Sequence, residues 1–89
     1  MLDICMIQTK NVQFTELIKA GGRLREFNFR RSQGVNDPMF TIDVANESGK
    51  RHYIFFRQKN GQWLLESKQL ISWVEEILPR IEEILRAYK

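Results

Sequence analysis

The chain has 89 residues, of which 43% are hydrophobic and 11% aromatic, and a formal net charge of +3. That length fits one domain, burying about two-thirds of its unfolded surface, and the apolar content excludes a disordered chain. Cys5 is the only cysteine, which excludes an internal disulfide, and no apolar run approaches the roughly 18 residues of a membrane span.

The N-terminal MLDICMIQTK has neither the basic start nor the apolar run of a signal peptide. A soluble, cytoplasmic protein with no membrane segment is the expectation. Leu2–Gln8 alternates like a strand. For the next stretch two arrangements stay open. Phe14, Leu17 and Ile18 ahead of Gly21-Gly22 suit a short helix with a glycine C-cap, and a strand is the alternative.

Arg23–Arg31 alternates, with Phe27 and Phe29 on one side, and Ser32–Pro38 forms the loop out of it. Phe40, Ile42 and Val44 alternate with Met39, Thr41 and Asp43. His52, Ile54 and Phe56 alternate with Arg51, Tyr53, Phe55 and Arg57. Asn46 and Gly49 mark the turn between these two runs. Asn60-Gly61 then predicts a tight hairpin into a strand through Trp63–Glu66.

From Leu70 to Tyr88 the period changes. At 100° per residue the apolar side chains fall within an arc of about 160°, and glutamates occupy the opposite arc. The spacing predicts one amphipathic helix over about 67–88, with Ser67 placed to cap its start. Pro79 lies on the polar arc, where it would kink a continuous helix, or else divide it into two shorter ones. The predicted fold is α+β. One domain, 1–89, has an antiparallel meander of about four strands over 23–66, packed against that helix. An N-terminal strand or short helix would be added to it.

Chemistry-bearing residues are few. His52 is the only histidine, and no family motif surrounds Cys5. The usual thiolate and imidazole ligands of zinc are not there in sufficient number. Asp37 before Pro38 reads as turn chemistry rather than as half of an acid–base pair with Asp43. Gly21-Gly22-Arg23 is too short for a phosphate loop. The expectation is a protein without catalytic residues, metal or cofactor.

Charge is more telling. Lys19–Lys59 holds nine basic residues against four acidic ones, while the segments on either side are each slightly acidic. Such asymmetry suits an anionic partner, although basic residues also keep sheet edges soluble. Two strands carry aromatics between arginines: Arg25, Phe27, Phe29 and Arg31 on one, and Arg51, Tyr53, Phe55 and Arg57 on the other. If both sets face away from the helix, they form a surface on which unpaired bases stack while cations follow the phosphates. These eight residues are the candidate nucleic-acid site. The competing role for the rings is burial, by another element or by a second copy of the chain, with the arginines reaching solvent from the strand ends.

The strands REFNFRR (25–31) and RHYIFFR (51–57), in a meander closed by a long helix, resemble the repeat unit of the Pur-alpha and Whirly-like single-stranded-nucleic-acid-binding proteins. The resemblance spans roughly residues 23–88 and is one of element order, so no site residue is carried over from the family. It implies pairing of two units, hence a homodimer here. A helix at Phe14–Ala20 would make the order similar to double-stranded-RNA-binding domains, whose last helix starts with several lysines where this chain has only Lys68. The functional expectation is a small homodimeric module binding single-stranded DNA or RNA. The alternative is a protein–protein interaction or structural subunit whose aromatic sheet face is the interface.

Overall fold

The computed structural model describes residues 12–33 and 37–88. The described residues form five strands, β1 (Val12–Ala20), β2 (Arg23–Gln33), β3 (Pro38–Ala45), β4 (Arg51–Lys59) and β5 (Gln62–Leu65), then two helices, α1 (Ser72–Glu75) and α2 (Leu78–Arg86). The strands form one antiparallel sheet in the order β1-β2-β3-β4-β5, a plain meander. The fold is therefore α+β around an antiparallel sheet. The possible strand at Leu2–Gln8 lies outside the described residues.

Residues 14–20 form a strand, not a helix. Gly21 and Gly22 have φ of +63° and +80°, so the pair closes a two-residue hairpin instead of capping a helix. Asn60 and Gly61, at +53° and +79°, repeat this turn between β4 and β5. Positive φ at both central residues matches the right-handed twist of the flanking strands.

Register decides which side chains share a face. Phe14 pairs with Phe29, Phe29 with Ile42, and Ile42 with Ile54. In the neighbouring row Arg31, Phe40, Phe56 and Leu65 follow one another across β2 to β5. One face of the sheet thus collects Phe27, Phe29, Phe40, Ile42, Ile54 and Phe56, all buried, and covers them with Val74, Ile81 and Leu85 from the helices. Aromatic contacts tie the layers together. Phe14 is stacked between Phe29 at 4.7 Å and Tyr88 at 4.5 Å, while Phe40 meets Trp63 edge-on at 5.1 Å.

The C-terminal segment differs from the single helix that its periodicity predicts. Ser67 caps no helix; its Oγ accepts a hydrogen bond from the Phe55 N–H at 2.9 Å, extending the sheet's edge bonding. Helix begins only at Ser72 and stops after one turn. Pro79 has no N–H to donate to the Glu75 carbonyl and its ring crowds that group, so the chain breaks at Glu76–Ile77 and restarts with Pro79 in the first turn of α2. Among the described residues no helix is long and apolar enough to cross a membrane.

β2 outruns β3. Its pairing with β3 begins at Asn28, so Arg23–Phe27 pairs with β1 alone and the β1–β2 hairpin projects past the rest of the sheet. The molecule is accordingly elongated, 49 × 24 × 21 Å. Arg25 secures this projection. Its side chain is buried, lies 3.9 Å over the Trp73 ring, donates to the Ala20 carbonyl at 2.7 Å, and reaches Glu47 at 2.7 Å.

Candidate nucleic-acid interface

The face opposite the helices carries the alternate residues of every strand. Tyr53 and Phe55 stand there side by side on β4, their rings 6.4 Å apart and inclined by only 15°. Residues two apart on a strand point the same way, which produces this parallel pair. Tyr53 is 51% exposed and Phe55 39%.

Polar groups surround them. In the row of Tyr53, the Thr15 hydroxyl donates to Asn28 Oδ1 at 2.8 Å and Asn28 Nδ2 donates to Asp43 Oδ1 at 3.0 Å. Arg51 Nη1 donates to the same Asp43 oxygen at 2.7 Å. Together with Gln13 and Arg30 these residues line a shallow depression of about 530 Å³ ending at Tyr53. On the other side of the rings, Arg57 grips Glu66 with two hydrogen bonds of 2.6 and 3.3 Å, and Lys59 lies 3.3 Å from Asp37. The hydrogen bond from Arg57 holds the Glu66 carboxyl below its ordinary range, and the same bond raises Arg57 above its own. At the projecting hairpin, the bond from Arg25 likewise lowers the Glu47 carboxyl.

The structure divides the eight predicted residues between two faces. Arg51, Tyr53, Phe55 and Arg57 are brought together on the open face. Arg25, Phe27, Phe29 and Arg31 are on the face covered by the helices: Phe27 and Phe29 are fully buried, Arg25 is under Trp73, and Arg31 lies 5.9 Å from the Trp63 ring. Arg31 Nε is itself buried and has no hydrogen-bond partner among the described residues. The cause is register. Ile42 pairs with Ile54, both even-numbered, but Asn28 pairs with Asp43, so odd residues of β2 share a face with even residues of β3 and β4.

A signal for this was present. Opposite Phe27 and Phe29, β2 carries Glu26, Asn28, Arg30 and Ser32, so its only continuous apolar side had to be the core side. In β4 both sides carry aromatics, and periodicity alone leaves the choice open. Sequence reasoning also missed Arg30, Thr15 and Asn28, which the register brings into the cross-strand rows of Phe55 and Tyr53.

His52 sits on the covered face, edge-on to Trp73 at 6.3 Å, with its Nε2 3.3 Å from Asn46 Nδ2. Cys5 is outside the described residues. Among the described residues no three His, Cys, Asp or Glu side chains converge to hold a metal ion. No known protein-family model matches the chain, and neither a curated protein nor a solved structure matches it significantly.

Proposed function

We propose that this protein is a non-enzymatic module that binds single-stranded DNA or RNA on the open face of its sheet, acting as a homodimer. The observation that carries the reading is the parallel, exposed pair Tyr53 and Phe55 set between Arg51 and Arg57. Unpaired bases stack on such rings, each stack contributing about 1–3 kcal/mol. Arg30 and Lys19 supply cations on the same face, and Arg51 and Arg57, held by Asp43 and Glu66, frame the rings. The site is thus Tyr53 and Phe55 with Arg30, Arg51 and Arg57, and the covered quartet has no part in it. The two-copy part of the reading comes from the resemblance of the strand meander to the Pur-alpha and Whirly-like proteins, and the lone cysteine fits a reducing, cytoplasmic setting.

Fluorescence anisotropy with a mixed-sequence oligonucleotide of about 20 nucleotides at low salt tests it. Tyr53→Ala and Phe55→Ala are each expected to weaken binding about tenfold, with the far-UV circular dichroism unchanged, because neither ring is part of the core. No binding at tens of micromolar protein, or unchanged binding by the double variant, would sink the idea.

A second reading has its own observation. Leu17, Leu24 and Leu64 are exposed on the same face as the two rings, an apolar content that suits a protein partner. A stable complex through this face, with no affinity for oligonucleotides, would favour that reading.

A further inference from the structure

Among the described strands β1 forms one edge of the sheet, and it is a long one. Among the described residues nothing pairs with its outer side over nine residues, Val12–Ala20, and no proline interrupts it. The opposite edge, β5, has only four residues, and beyond it the chain bonds back to β4 through Glu66 and Ser67. Long unprotected edges are where a second chain adds.

The hairpin fixes which groups point outward. With a two-residue turn at Gly21-Gly22, the flanking pair Ala20 and Arg23 exchanges both backbone hydrogen bonds, and so does every second pair after it. Ile18, Glu16, Phe14 and Val12 therefore direct their N–H and C=O groups into the sheet. Gln13, Thr15, Leu17 and Lys19 direct theirs out of it, and their side chains lie on the open face.

Self-pairing about a two-fold axis normal to the sheet must match this outward set with itself. Centring the axis on Glu16 would set two half-buried carboxylates directly opposite each other, about 4.5 Å apart at Cα. Centring it on Thr15 sets Leu17 against Gln13 and Glu16 against Phe14. Centring it on Ile18 sets Leu17 against Lys19 and shortens the overlap. Centring it on Leu17 places Leu17 against its own counterpart and Thr15 against Lys19, with about six new backbone hydrogen bonds. Leu24, diagonal to Leu17 across the hairpin, then joins the same cluster from each copy. Among the described residues these are the two most exposed large apolar side chains, Leu17 at 59% and Leu24 at 63%. Only this register sets an apolar side chain directly opposite Leu17.

We infer that two copies of this chain pair antiparallel along β1, in the register that sets Leu17 opposite Leu17 of the second copy. The sheets become continuous and both Tyr53–Phe55 surfaces face the same way. The inference rests on the two-copy part of the proposed function and not on what the open face binds.

Disulfide trapping in a Cys5→Ser background reads the register. Leu17→Cys is expected to give an intermolecular disulfide dimer on mild oxidation, because directly opposite residues lie within bridging range. Thr15→Cys and Lys19→Cys should cross-link to each other when mixed, and neither to itself. Faster trapping through Glu16→Cys than through Leu17→Cys would overturn the register. Sedimentation velocity supplies the independent measurement: Leu17→Lys should weaken the dimer at least tenfold while leaving the far-UV spectrum intact. A wild-type chain that stays monomeric at 100-fold the concentration of the binding assay overturns this inference and the two-copy part of the proposed function. Oligonucleotide binding by that monomer, lost with Tyr53→Ala, would still leave the aromatic surface standing.

Discussion

Arg25 holds the free end of the β1–β2 hairpin through three unlike contacts: the face of Trp73, the Ala20 carbonyl and the Glu47 carboxylate. The hairpin turn itself is part of this arrangement. A Cβ on Gly21 would fall 2.9 Å from Trp73 Cγ and 3.1 Å from Arg25 Nη2, whereas one on Gly22 would meet nothing within 4 Å. Both glycines have positive φ, so alanine at either carries the conformational cost of about 1 kcal/mol. Only Gly21→Ala must also displace the indole. Urea denaturation should show Gly22→Ala losing about 1 kcal/mol and Gly21→Ala about 2–4 kcal/mol. Equal losses would mean that Trp73 does not press on the turn. None of this was legible from the sequence, where Gly21-Gly22 suits the C-cap of a short helix, with a strand through the stretch as the alternative, and Arg25 reads as a nucleic-acid-binding cation. Its real partner, Trp73, is brought in by an element almost fifty positions away.

At the scale of elements, local rules succeeded where one face of a strand was plainly apolar and turn chemistry was explicit. β3 and the Asn60-Gly61 hairpin follow that pattern. They failed where two periodicities fit the same residues. Phe14, Leu17 and Ile18 satisfy a helical spacing, but the turn and the cross-strand partner Phe29 select a strand that leaves Leu17 outside. The site suffered the same ambiguity, since periodicity assigns residues to two sides of each strand but not the sides of separate strands to one face. In the C-terminal segment the apolar arc was real, and Val74, Ile81 and Leu85 do bury, yet the backbone between them is interrupted. Pro79 tests that account. In the first turn of α2 its missing N–H has no helical carbonyl to serve, so Pro79→Ala should change stability by no more than about 0.5 kcal/mol. A proline inside a continuous helix would instead give up about 3 kcal/mol, and its replacement would recover that amount together with a gain in helical ellipticity. Urea midpoints and far-UV spectra of the two proteins distinguish these cases.

Across the whole molecule, the net charge of +3 overstates what the open face can offer a phosphate backbone. Arg51 is engaged by Asp43, Arg57 by Glu66, and Lys59 by Asp37. Lys19 and Arg30 are the open-face cations outside the ion pairs of the described residues. If single-stranded nucleic acid binds here, stacking on Tyr53 and Phe55 carries more of the affinity than charge does. Each phosphate neutralised on a single strand contributes about −0.7 to the slope of log K against log salt, so two free cations give about −1.4 on an oligonucleotide short enough for one copy. Glu66→Gln releases Arg57 from its strongest partner. It should steepen the slope to about −2 and raise the affinity several-fold at low salt, while Arg57→Gln in the same background returns both to the starting values. Anisotropy titrations over a series of salt concentrations measure the slopes. A wild-type slope of about −4 or steeper would place the phosphates on cations away from this face. A Glu66→Gln slope equal to the wild type would remove Arg57 from the interface and leave the aromatic pair as its only anchor.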